Sequence, residues 1–247
     1  MTGQSSSSFA SSASSVPPPS PNAIVHVELG ALNRICASSQ SHFVDERGTI
    51  VPIGSQDKIT ENDVLFYKLS NLSVLALNRP KALNALNTSM CVKIRNFVDN
   101  HVFEPSKPEY PWILLVGTGG KSFCSGGDVK DVCIKSFIEN QPHVGYEFFR
   151  EEYKMDYVMS QFPRNTGVIS ILDGIVMGGG VGISIHGKFR VATEKTIFAM
   201  PECNIGFHPD VGGSYVLPRM PDRFGYYLAM VGDRLTGPGL LSCGIAT

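Results

Sequence analysis

The chain has 247 residues, of which 43% are apolar and 17% charged, with a formal net charge of −1. This is the make-up of a globular protein with a sizeable core, and the even charge balance gives no electrostatic reason to expect nucleic acid or an anionic membrane as partner. No charge-free apolar run is long enough to cross a bilayer: the closest, Val168 to Ile185, holds Asp173 and seven Gly or Ser residues.

Residues 1–27 carry no Asp, Glu, Lys or Arg, nine of the first 21 are Ser, and Val16-Pro17-Pro18-Pro19-Ser20-Pro21 lies among them. Such a stretch buries too little apolar surface to offset its ordering entropy, which predicts disorder. Serine richness without acids suits a mitochondrial transit peptide, although the first basic residue is Arg34; a cytoplasmic protein with a plain tail is the alternative. Residues 28–61 are polar and weakly patterned, so 1–61 reads as an N-terminal extension and 62–247 as the folded core.

Val64–Leu69 and Val74–Leu77 predict a hairpin about a Ser70-Asn71 turn. Asn87 or Thr88 can cap a helix whose apolar positions are Met90, Ile94, Phe97 and Val98. Trp112–Val116 and Val168–Leu172 are continuous apolar runs, as expected of buried strands. Gly145–Phe162 and Val181–His186 read as helices, Phe189–Ala192 and Ile197–Ala199 as short strands, and Arg223–Met230 as a helix. Strands alternating with helices predict an α/β layered domain, with no internal repeat at a fixed period. After Leu235–Gly239, a turn into another segment, the chain stops at Gly244-Ile245-Ala246-Thr247 without a closing element, as if cut in mid-architecture.

Six Cys lie far apart with no C-x-x-C, which argues against zinc and against a disulfide framework and favours reduced thiols inside a cell. His101, His143, His186 and His208 show no metal-ligand spacing, so no metal is expected. Gly117-Thr118-Gly119-Gly120-Lys121-Ser122 is not a phosphate-binding loop, because the required first Gly is Leu115.

Two segments carry the chemistry. Lys121-Ser122-Phe123-Cys124-Ser125-Gly126-Gly127-Asp128 and Asp173-Gly174-Ile175-Val176-Met177-Gly178-Gly179-Gly180 each put Gly beside Gly after an apolar stretch. Two such turns, brought together, can aim two backbone N–H groups at one oxyanion. A third segment, Met200-Pro201-Glu202 through Pro209-Asp210-Val211-Gly212-Gly213, adds two carboxylates able to act as acid, base or nucleophile.

Leu77-Asn78-Arg79-Pro80-Lys81-Ala82-Leu83-Asn84-Ala85-Leu86, then Phe123–Asp128, then Met177–Gly180, resemble the enoyl-CoA hydratase/isomerase (crotonase) superfamily, from about Asp63 to the end. Phe148–Tyr153, His186–Lys195 and Phe207–Gly213 are similar to its 3-hydroxyisobutyryl-CoA hydrolase branch. The resemblance implies a crotonase-like layered ββα spiral whose C-terminal helical region lies beyond residue 247. Those helices would close the acyl-CoA pocket and build homo-oligomer contacts, so this form is expected to be poorly stable or weakly active. Gly127 and Gly179 would donate to the thioester oxygen, and Asp128 would brace the first loop. Glu202 would attack the thioester carbon or activate water, and Asp210 would bind the substrate hydroxyl or manage the thiol proton. Ser125, Gly126, Asp128 and Gly178 would line the substrate, and Arg79 and Lys81 would lie where coenzyme A phosphates pass. Coenzyme A would enter only as part of the substrate, with no separate cofactor. Hydratases carry a catalytic Glu where this chain has Gly182, which argues for thioester hydrolysis over water addition. Double-bond isomerisation and a silent scaffold are the rivals.

Overall fold

The computed structural model describes residues 42–44, 50–52, 62–69, 72–102, 112–162 and 167–247. The predicted Ser70-Asn71 turn, and all of the predicted extension except two short strands, lie outside the described residues. Those strands, β1 (His42–Val44) and β2 (Ile50–Pro52), extend the main sheet, where the sequence reading placed no element before Asn62.

β3 (Val64–Leu69) and β4 (Leu72–Leu77) form the predicted antiparallel pair. β5 (Trp112–Gly117), β7 (Gly167–Leu172) and β9 (Phe189–Ala192) follow in parallel, giving, among the described residues, a seven-stranded sheet in the order β2-β1-β3-β4-β5-β7-β9. A second sheet, in the order β11-β10-β8-β6, contains β6 (Ser122–Cys124), β8 (Ile175–Met177), β10 (Ile197–Ala199) and β11 (Leu235–Thr236). The sequence reading treated β6 and β8 as parts of loops; three residues are too few to show a period. From β5 onward the chain repeats one move: a strand in the large sheet, a strand in the small sheet, then a helical turn.

Among the described residues the α-helices are α1 (Thr88–Val102), α2 (Val129–Cys133, continuing into a π-turn at Ile134–Ile138), α3 (His143–Ser160), α4 (Gly179–Ile185), α5 (Gly213–Val216), α6 (Phe224–Val231) and α7 (Gly239–Ser242). α1 starts where Asn87 Oδ1 accepts from the Met90 N–H at 2.8 Å, which relieves one of the unpaired donors of the first turn. Met90, Ile94 and Val98 are fully buried. Burial at roughly 1.5–3 kcal/mol per large apolar side chain, more than intrinsic helix propensity, holds α1 in place.

The large sheet buries both faces. Leu75, Leu77, Ile113, Leu115, Val168 and Leu172 join the main core, while Val74, Leu114 and Ile171 form a second cluster behind it. α3 packs against α1 and buries Phe148, Met155 and Met159. Arg190 of β9 clips the end of the chain: its guanidinium donates to the Ile245 carbonyl at 2.7 Å, Gly244 at 3.0 Å, Gly187 at 2.6 Å and Ile185 at 3.2 Å. The Arg190 N–H donates to Thr247 Oγ1 at 3.0 Å, and the Thr247 N–H donates back to the Arg190 carbonyl at 3.0 Å.

Candidate active site

β6 and β8 lie side by side and in parallel, so they deliver their glycine turns to one place. In the first turn Leu86 bridges Gly127: the Leu86 N–H donates to the Gly126 carbonyl and the Asp128 N–H to the Leu86 carbonyl, both at 2.8 Å. That ladder uses the groups on either side of Gly127 and turns the Gly127 N–H the other way. In the second turn Gly178 (φ 49°, ψ −120°) precedes α4, and the Gly179 N–H is one of the first-turn donors with no intrahelical acceptor. Among the described residues, neither N–H makes a hydrogen bond. The two turns approach backbone to backbone: a side chain on Gly179 would lie 3.3 Å from the Gly127 nitrogen, and one on Gly126 3.1 Å from the Met177 carbonyl. Gly126 also holds φ 104°, which only glycine adopts without strain.

Asp128 caps α2, its Oδ1 accepting from the Asp131 N–H at 3.2 Å, while Oδ2 accepts from Arg79 Nη2 at 2.8 Å. Arg79 Nη1 donates to the Ala85 carbonyl at 2.6 Å, and the Arg79 N–H donates to Asn84 Oδ1 at 2.9 Å. The fully buried Asn84 amide donates to the Ser122 and Thr118 carbonyls at 2.8 and 3.0 Å. The Arg79 guanidinium uses two nitrogens inside the protein, tying the Arg79–Leu86 loop to the Gly126–Asp128 loop, and its side chain remains about a quarter exposed. Lys81, two residues on, is on the surface. Ser125 is half-buried and its N–H donates to the Leu83 carbonyl at 3.1 Å.

Carboxyl groups surround the paired turns. Glu202 opens a 3-10 turn after β10; it is 7% exposed, Oε2 has no partner among the described residues, and Oε1 stands 3.0 Å from where a Gly178 Cβ would be. Burial first, with the Asp210 charge adding to it, pushes its pKa to about 7. Glu152 of α3 is 2% exposed, and its Oε1 is unpaired and packs against Gly179. Burial, then the charges of Asp156, Asp210 and Glu202, raise its pKa well above the usual carboxylate range. Asp156, one turn further, is buried with both oxygens unpaired among the described residues, against Gly182; burial and then Asp210 raise it too. The adjacent Glu151 has the opposite surroundings: despite burial, Lys154, Arg150 and Arg95 hold it below its ordinary value.

Asp210 is half-buried and accepts from the Tyr153 hydroxyl at 2.7 Å. The structure thus gathers Gly127, Gly179, Gly178, Gly126 and Glu202 at one point, with Asp210 at its α3 side. Glu152 and Asp156 were not picked out as site residues. The available signal was an acid pair one turn apart on the stripe of α3 that otherwise buries Phe148, Met155 and Met159. Among the described residues, no group of three or more His, Cys, Asp or Glu has a metal-binding arrangement. Two free N–H groups beside a buried carboxyl suit stabilisation of a carbonyl oxygen with acid–base work next to it.

The chain matches the enoyl-CoA hydratase/isomerase family over residues 72–247. It is 44% identical over 188 residues to a probable 3-hydroxyisobutyryl-CoA hydrolase of Arabidopsis thaliana, covering 76% of this chain and 48% of that protein. It is 43% identical over 193 residues to the mitochondrial 3-hydroxyisobutyryl-CoA hydrolase of Xenopus laevis, covering 78% of this chain and 48% of that protein. The chain spans about half the length of the curated relatives it matches. Among solved structures, an enoyl-CoA hydratase from Rhodobacter sphaeroides superposes with a TM-score of 0.68 at 35% identity, over 75% of this chain and 53% of that one. The layered α/β spiral expected from the motifs is the fold found.

Proposed function

Since the chain belongs to the enoyl-CoA hydratase/isomerase family, we propose that it hydrolyses an acyl-CoA thioester, 3-hydroxyisobutyryl-CoA, to the free hydroxy acid and coenzyme A thiol. The observation that carries this reading is the pair of unengaged N–H groups, Gly127 and Gly179, on two adjoining glycine turns with the buried Glu202 against Gly178. The thioester oxygen sits between them, where each donor is worth about 3 kcal/mol once the oxygen becomes anionic.

Glu202 acts as general base. Water gives its proton to the Glu202 carboxylate as its oxygen bonds to the thioester carbon, and the C=O electrons move onto oxygen. The tetrahedral species then collapses, the carbon–sulfur bond breaks, and the proton held by Glu202 goes to the departing thiolate. A carboxyl with pKa about 7 is suited to both transfers near neutral pH. Asp210 accepts the hydroxyl of the acyl group. Burial, then the charges of Asp156, Asp210 and Glu202, bias Glu152, adjacent to Gly179, toward its protonated form; as a carboxylate it would repel the developing oxyanion. The serine-rich N-terminus and the mitochondrial naming of the Xenopus laevis relative support a mitochondrial location.

The test is release of coenzyme A thiol from 3-hydroxyisobutyryl-CoA, with Glu202→Gln in parallel and crotonyl-CoA hydration as the control. Thiol release that depends on Glu202, without hydration, supports the reading. Hydration without thiol release would replace it.

A further inference from the structure

Asp210 rides on a loop of unusual backbone. Gly206 (φ 77°), Val211 (φ 42°) and Gly212 (φ 83°) are all left-handed, and Val211 is β-branched, a poor fit to that region. Residues 203–208 are exposed. The Phe207 N–H donates to the Glu202 carbonyl at 3.0 Å, the Gly213 N–H donates to the Asp210 carbonyl at 2.6 Å, and Val211 is buried, which anchors the loop backbone but leaves the Asp210 side chain to be held by other groups.

One face of α3 fixes it at two points a helical turn apart. The Phe207 ring stacks on Phe149, centroids 5.7 Å apart at 28°. Phe149 in turn lies 5.9 Å from the Tyr153 ring, and the Tyr153 hydroxyl donates to Asp210 Oδ2 at 2.7 Å. Among the described residues this is the one hydrogen bond made to the Asp210 carboxylate. A short hydroxyl–carboxylate bond is charge-assisted and among the stronger ones a side chain makes. α3 also carries Glu152 and packs against α4, so the Tyr153 bond sets Asp210 in the same frame as Gly179.

We propose that Tyr153 is a positioning residue of the hydrolytic reaction, acting through Asp210 by holding its carboxylate toward the acyl group. This rests on the hydrolase reading above. Tyr153 is 41% exposed, so the hydroxyl is no core requirement, and removing it leaves the aromatic contacts intact.

The experiment compares Tyr153→Phe, Asp210→Asn and the double variant of the full chain. Thiol release from 3-hydroxyisobutyryl-CoA and amide hydrogen exchange over residues 206–213 are both measured. Tyr153→Phe is expected to lower kcat about 10-fold, the scale of one hydrogen bond to a charged group, with KM within about 2-fold. Adding it to Asp210→Asn should cost nothing further, because the two act as one unit. Exchange over the loop should quicken in Tyr153→Phe. If Asp210→Asn is impaired while Tyr153→Phe matches the parent, or if the two losses multiply, the positioning role is overturned. If Asp210→Asn is fully active, the assigned use of Asp210 fails, and positioning in the reaction fails with it. Unchanged loop exchange in Tyr153→Phe overturns the proposal even where turnover is too low to measure.

Discussion

Replacing Glu202 by Gln should make the protein more stable above neutral pH while silencing it. Glu202 is 7% exposed with one oxygen unpaired, and its pKa stands at about 7, against an ordinary 4.5. Between those two values the folded chain holds a proton that the unfolded chain gives up. Unfolding therefore releases a proton, and stability falls as pH rises through the window. The gap from 4.5 to about 7, at about 1.36 kcal/mol per pH unit, amounts to about 3 kcal/mol once pH exceeds the upper value. Gln has no charge to bury. Its amide brings a cost of about 1–3 kcal/mol if left unpaired, and that cost is the same at every pH. The difference in unfolding free energy, variant minus parent, should therefore rise by about 3 kcal/mol between about pH 4 and pH 8. Asp156, raised by burial and Asp210, largely drops out of the difference, whereas Glu152 loses the Glu202 charge that helps to raise it, which adds to the gain of the variant at high pH. Denaturant unfolding followed by circular dichroism across that range measures it. Two stability curves that run parallel would refute the reasoning, because Glu202 would then carry no burial penalty.

Gly179→Ala should lose about 100-fold or more in turnover while keeping its fold, because the new methyl group meets the Glu152 carboxyl and lies 3.1 Å from Leu86 Cδ1, displacing one oxyanion donor; retained kcat would show that the Gly179 N–H is not used. Arg79→Gln should cost about 1–2 kcal/mol in denaturant unfolding by breaking the partly buried bond to Asp128, with little change in KM for acyl-CoA; a large KM rise at unchanged stability would show instead that Arg79 contacts the coenzyme A phosphates. Gly182→Glu should be destabilised by about 2 kcal/mol or more and gain no hydration of crotonyl-CoA, since its Cβ would fall 2.7 Å from Val211 Cβ and 2.9 Å from Asp156 Oδ1; a folded variant that hydrates the alkene would contradict this.

The strands and helices with long apolar patterns were legible in the sequence. Trp112–Val116 lies within β5, Val168–Leu172 within β7, and Phe189–Ala192 matches β9. α3 runs from His143 to Ser160, two residues earlier at each end than Gly145–Phe162, since nothing in the sequence marks its start: Pro142 precedes it without a side-chain cap. The repeated strand–strand–helix move left no sequence period because its turns differ in length. β5 and β7 begin at Trp112 and Gly167 with α2 and α3 between them, whereas β9 follows at Phe189 after α4 alone. At the site, the glycine turns stood out because their backbone conformations restrict residue choice. Glu152 and Asp156 did not, because only tertiary packing turns a helical acid into a buried one; Glu151, next to Glu152, finds three cations.

The Arg190–Thr247 contact bears on how the molecule behaves in a crowded solution. Among the described residues β9 is the last strand of the large sheet, and a bare outer strand is a template on which another chain can add by main-chain pairing. At Arg190 both outward main-chain groups are already taken, the N–H by Thr247 Oγ1 and the carbonyl by the Thr247 N–H. The guanidinium, laid across the Gly244 and Ile245 carbonyls, keeps that short segment seated along the strand. The clip therefore works as an edge guard at Arg190: the main-chain pair there that could recruit a foreign strand is already engaged by Thr247.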